Sequence, residues 1–170
     1  MKFLRNDYSD LLKKAEEIHA SLCRAGKEMG EATNQGAETY HDNAPFEAAR
    51  DECEVLSSRM DDFRKIIDST EVIDLPTNHD SVSVGHLVEV TYPNSEDKTV
   101  WFYVGSYMVD IYGKNSGNSG NSELDPIHTS YISPLGVALV GADLYDTVSF
   151  SVDNKKTLCF VQDIVLPKKK

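Results

Sequence analysis

The stretch ETYHDNAPFEAARDE, residues 38 to 52, gathers side chains that move protons, hold charge or stack. Glu38 and Asp42 are carboxylates, His41 sits between Tyr40 and Asp42, and Thr39, Asn43 and Phe46 complete a polar turn edged by two aromatic rings. His41 could serve as a proton shuttle or contact RNA, and Tyr40 and Phe46 could stack on a nucleobase. Each also has a plainer use. Asp42 suits the start of a helix, where it satisfies free amides and complements the dipole. Glu38 suits a solvated loop and His41 an exposed turn, and the two rings could clamp the chain by touching each other. Arg24, Lys27 and Arg50 lie toward this stretch and could offer a small positive surface to an RNA backbone. Glu28, Glu31, Asp51 and Glu52 offset them, which makes a solvated helix face the simpler reading.

The elements that must position these residues are helices. Apolar residues recur at Leu4, Tyr8, Leu11, Ala15, Ile18, Leu22, Ala25, Met29 and Ala32, the four-and-three alternation of a heptad seam. The alternation resumes at Phe46, Ala49, Cys53, Leu56, Met60, Phe63 and Ile67. Matched stripes imply an antiparallel coiled-coil hairpin over residues 1–75 with its tip at 36–45. The first helix, roughly 40 Å long at the helical rise, should protrude. Gly26, Gly30 and Gly36 weaken its distal part, each by about 1 kcal/mol relative to alanine, so the tip should be the loosest part. Pro45 fits a first helical turn, so the second helix should begin at Ala44 or Pro45.

Past Asp74 the segment LPTNHDS reads as a linker, residues 76–81, and the period then changes to two over 82–170. VSVGHLVEVTY, KTVWFYVGSYMVDIY, TVSFSV and KTLCFVQDIVL are rich in β-branched and aromatic residues and read as strands of a small, mostly antiparallel sheet. One of Trp101 and Phe102 should be core and the other partly exposed. SPLGVALVGADLYD carries a short helix to cover one sheet face, giving an α+β chain, and GKNSGNSGNSE is a strand connection without a phosphate-binding glycine pattern.

The formal net charge of −11 argues against coating a phosphate backbone and favours a protein partner. Lys168, Lys169 and Lys170 read as a solvated end. Cys23, Cys53 and Cys159 form no CxxC pair and read as reduced structural thiols. The start MKFLRNDYSDLL lacks the features of a signal peptide, and no run of about 18 apolar residues exists, so a cytoplasmic location is expected.

Taken together, SVGHLVEVTY, Ser133-Pro134-Leu135-Gly136 followed by Ala138-Leu139 and Gly141, and Asp42-Asn43-Ala44 with Ala48-Ala49-Arg50 resemble the bacterial Gre family of transcript-cleavage factors. The resemblance covers nearly the whole chain. It implies that the C-terminal domain is FKBP-like, that Ser133, Pro134, Leu135 and Gly136 help dock it on RNA polymerase, and that the hairpin enters the secondary channel. There the tip acids would share Mg²⁺ with the polymerase and help cut the 3′ end of backtracked nascent RNA. Two metal ions can stabilise both the attacking and leaving oxygens, and Mg²⁺ takes few carboxylates plus waters. No metal would be held by the chain alone, and no activity would belong to it alone; a monomer working away from membranes is implied.

The family pattern at the tip is G-D-x-x-E-N. Aligned on Asn43, Asp42 matches its glutamate and Thr39 its aspartate, while Glu38, one residue earlier and four from Asp42, is the substitute carboxylate on the same side of a turn. Phe46 replaces the tip tyrosine and Pro45 the glutamate before it. The threonine also allows a non-cleaving occupant of the channel. A peptidyl-prolyl isomerase would need an aromatic-lined pocket that the strands do not supply, and a coiled-coil adaptor would need a partner chain.

Overall fold

A computed structural model describes residues 1–35, 44–93, 98–108 and 120–167. The elements run β1 (Lys2–Leu4), α1 (Arg5–Gln35), α2 (Ala44–Asp68), β2 (Glu71–Ile73), β3 (Leu87–Tyr92), β4 (Lys98–Gly105), β5 (Ile127–Ser130), α3 (Pro134–Leu139), β6 (Thr147–Val152) and β7 (Lys155–Val165). They divide into a helical unit, Met1 with Tyr8–Thr70, and a sheet unit, Lys2–Asp7 with Glu71–Lys170. The division thus falls at Thr70/Glu71 rather than at residue 75, and the first strand goes with the sheet.

In the helical unit the heptad seam is the buried face. Leu11, Ala15, Ile18, Ala25 and Ala32 of α1 and Ala49 and Phe63 of α2 are buried, and Tyr8, Leu22, Met29, Phe46, Cys53, Leu56, Met60 and Ile67 are half-buried. Leu4 is the exception: it is buried in β1, and the helix begins after it. Met60 lines one shallow groove with Leu12, Ala15, Glu16 and His19, and the Met1 ammonium donates to the Ser69 carbonyl. The start of α1 therefore lies beside the end of α2, and the helices run antiparallel. A Cβ added at Gly26 or Gly30 would meet nothing within 4 Å, so neither glycine answers to packing. α2 begins at Ala44 with Pro45 in its first turn, as its fixed φ favours.

The sheet unit is built on β3. It pairs antiparallel with β4 on one side and β7 on the other, in a sheet of order β5-β4-β3-β7-β6 whose β4–β5 pair is parallel. Val88 faces Phe102 and Ile164, and Val90 faces Val100 and Val161, so one face of three strands forms a continuous apolar row. Val161 and Ile164 are three apart yet both buried, because β7 carries a bulge between its pairings to Glu89 and Val90 that leaves Gln162 extra. Phe102 is core and Trp101 half-buried, as alternation requires. Asp153 and Asn154, at φ 50° and 62°, make the two-residue turn between β6 and β7; residues of these types tolerate that geometry. Burial pushes the Cys159 thiol up to about 11, so it remains a protonated core residue.

A second sheet, β1 paired parallel to β2, lies in the same unit. Ser106 holds β1 there: its hydroxyl accepts from the Leu4 N–H at 2.9 Å and donates to buried Asp7 at 2.6 Å. No described helix is long and apolar enough to cross a membrane.

The segment 76–81, read as linker, is tied to the sheet through a fully buried histidine. His86 Nδ1 accepts from the Ser83 N–H at 2.9 Å, and its Nε2–H donates to the Asn78 carbonyl at 2.8 Å. Its ring stacks 6.3 Å from that of His79, whose Nδ1–H donates to the Ile164 carbonyl. The arrangement fits only neutral His86, and burial, with the neighbouring His79, lowers its pKa from 6.5. The unfolded chain then binds more protons than the native one below that value, so the stabilisation is complete above about pH 6.5 and is lost as pH falls. Urea unfolding at pH 7.5 and 5.5 should show lower stability at the acidic value, with the difference reduced in His86→Gln. In the helical unit, Gly26→Ala and Gly30→Ala should each add about 1 kcal/mol to helix stability, read as a raised melting temperature.

Candidate functional site

Two regions carry the residues that the sequence singles out, one in each unit. At the tip, Glu38, Thr39, Tyr40, His41, Asp42 and Asn43 lie outside the described residues; the structure gives their setting. α1 continues to Gln35 and α2 restarts at Ala44, so eight residues bridge two antiparallel helices. The flanking seam persists to Ala32 on one side and Ala49 on the other, both buried, with Phe46 half-buried between them and the bridge. Phe46 is therefore committed in part to packing.

The basic residues near the tip are exposed, and one is already engaged. Arg50 Nη2 lies 3.0 Å from Asp51 Oδ1, a pair open to solvent on both sides. The hydrogen bond and charge of Asp51 raise the Arg50 pKa further, so the guanidinium stays charged. A solvated pair of this kind contributes little to stability and leaves Arg50 able to exchange partners. Arg24 and Lys27 lie on exposed positions of α1. Among the described residues, no group of three or more His, Cys, Asp and Glu side chains is placed to hold a metal ion.

The second region surrounds α3, and here the structure separates scaffold from surface. Ser133 is the N-cap: its Oγ accepts from the Gly136 N–H at 3.0 Å and lies 2.8 Å from Thr129 Oγ1. Pro134 occupies the first helical turn, where its missing N–H costs nothing. Gly136 is required by contact. A Cβ there would stand 2.0 Å from the Ser130 carbonyl oxygen and 2.8 Å from Tyr131 Cα, so α3 packs backbone against backbone on the chain that leaves β5. Leu139 is fully buried in the sheet core and Leu135 packs against it.

Helical spacing then turns Pro134, Val137 and Val140 outward, and all three are exposed. Of the four residues expected to dock, Ser133, Leu135 and Gly136 build the element, and Pro134 is the one whose side chain faces solvent. The apolar exposure continues beyond the motif, at Ile132, Leu144 and Tyr145. Tyr145 is 64% exposed with φ 69°, a left-handed backbone that costs a bulky L-residue about 1–2 kcal/mol. Sequence reading passed over this position because neither residue type nor period marks it; GADLYD only signals a turn.

The groove in the helical unit, about 290 Å³, is shallow and open to solvent rather than an enclosed pocket.

Comparison with known proteins bears on both regions. No family model matches the chain. Among curated proteins it is similar to the transcription elongation factor GreA of Lachnoclostridium phytofermentans, 26% identical over 156 residues, 90% of this chain and 83% of that one. It is also similar to GreA of Rickettsia canadensis, 25% identical over 131 residues, 76% of this chain and 72% of that one. Among solved structures, GreA factor homolog 1 of Thermus thermophilus is 21% identical, with 97% of this chain and 98% of that chain covered at a TM-score of 0.41, a value too low to carry weight.

Replacing the scaffold residues should cost stability rather than affinity. Gly136→Ala should destabilise the sheet unit by roughly 2–4 kcal/mol through the clash with the Ser130 carbonyl. Ser133→Ala should cost about 1 kcal/mol. Both losses are read by urea denaturation.

Proposed function

Because the chain belongs to the Gre family, to which its curated relatives belong, we propose that it is a transcription elongation factor acting on RNA polymerase. In this reading the sheet unit docks at the mouth of the secondary channel, the hairpin enters it, and the tip promotes cleavage of backtracked nascent RNA. One observation carries the reading: the alignment to an elongation factor spans 156 residues, more than either unit alone, so the likeness is to a whole two-part factor.

The chemistry falls to Glu38 and Asp42. Four residues apart, two carboxylates can present oxygens on one side of a turn. They are a suitable but incomplete donor set for Mg²⁺, which takes an octahedral oxygen shell and keeps waters. They would hold it jointly with the polymerase, and the ion would supply charge neutralisation at the phosphate. His41 and Tyr40 would contact the RNA end, and Phe46 would brace the turn from the seam. Arg24, Lys27 and Arg50 would give the approaching backbone local positive charge. The factor would work as a cytoplasmic monomer with no catalysis of its own.

A second reading rests on Thr39, which stands where the family pattern has an aspartate. With one acid displaced by a residue, the tip would occupy the channel without completing the metal shell, and the protein would compete with cleavage factors.

A stalled, backtracked polymerase complex distinguishes the two. Added wild-type protein should shorten the RNA, and Glu38→Ala and Asp42→Ala should each slow that cutting by about 10-fold or more, the loss typical of removing a metal-orienting or catalytic group. Binding without shortening overturns the cleavage reading in favour of the competitor. Absence of binding overturns both.

A further inference from the structure

Resting on the reading that the sheet unit docks on RNA polymerase, we infer that Tyr145, with Leu144 and Val137, is the anchor of that contact. The anchor meets an apolar spot on the polymerase that is bordered by lysine or arginine side chains.

The first observation is conformational. Tyr145 holds a left-handed backbone at φ 69°, and its N–H donates to the Val161 carbonyl at 2.9 Å, so the turn is fixed to β7. Among the described residues, the other non-glycine residues in that region of φ are Asp153 and Asn154, types that adopt it readily. A tyrosine gains little there from packing, since 64% of it is exposed. A strained, solvent-facing aromatic residue points to use by a partner, and tyrosine is among the residues that dominate interface energies.

The second observation is the neighbourhood. Val137, on the side of α3 away from buried Leu139, is also 64% exposed, and Ile132, Val140 and Leu144 are exposed within the same short stretch of chain. Charge then selects the partner. From residue 115 to residue 154 the sequence has no lysine or arginine but five carboxylates, Glu123, Asp125, Asp143, Asp146 and Asp153. Asp143 and Asp146 directly flank the Leu144-Tyr145 pair, and both are exposed. An apolar centre with an acidic border complements an apolar centre with a basic one, and the like-charged face repels nucleic acid.

The test uses the full chain, purified RNA polymerase and a direct binding titration. Tyr145→Asn keeps a residue that accepts the left-handed backbone, so its melting temperature should stay within a few degrees of wild type while its affinity falls at least 10-fold. Tyr145→Phe keeps the ring and should bind within about threefold of wild type. Val152→Ser, at an exposed apolar position on β6, should bind unchanged. Affinity should weaken as salt rises, in step with the acidic border. If wild type binds and Tyr145→Asn binds equally well, the anchor is overturned while the proposed function stands. If wild type does not bind, the proposed function fails and takes the anchor with it.

Discussion

Burial of alternate residues along β3, between β4 and β7, is the constraint from which the sheet unit follows. Val88 and Val90 have neighbours on both sides in register, so a single face of the sheet becomes dry and must be covered. Leu139 and Leu135 supply that cover, and their inward commitment decides which residues of α3 are left outside. The exposed face is thus a consequence of the core: once 135, 136 and 139 point in, 134, 137 and 140 point out. The bulge at Gln162 serves the same end, because it restores Ile164 to the dry face after the strand has bent.

Scaffold and surface meet in SPLG. Its serine and glycine are fixed by a cap bond and by a close backbone approach, its leucine by the core, and its proline faces solvent. Under the proposed function, two stabilities matter. The sheet unit must hold α3 rigidly enough to present a surface, and the helical pair must carry the tip residues on a seam whose distal part contains glycines that packing does not require.

How much of this was legible in the residues depended on length. The heptad stripe repeats over about 60 residues and was readable position by position, with Leu4 misassigned because a three-residue strand precedes the helix without any break in period. β3, β4, β6 and β7 announce themselves by alternation. β1, β2 and β5 do not: strands of three or four residues are too short for a period to register, and β5, IHTS, is half-buried throughout. The burial of His86 and of Asp7 was equally invisible, since both residue types belong by default on the surface and only tertiary partners bring them inside. At the candidate sites, the tip acids were named by their register against the family pattern, and the candidate docking element by a motif. Tyr145 emerged only from its backbone angle, which residue order does not disclose.

Gly136 also bears on how freely the surface above it can vary. A position where a single added carbon would stand 2.0 Å from a main-chain oxygen is constrained by foldability, whatever the protein is used for. Pro134, Val137 and Val140 face solvent instead, so the chemical character of that face is open to change while the element beneath it stays fixed.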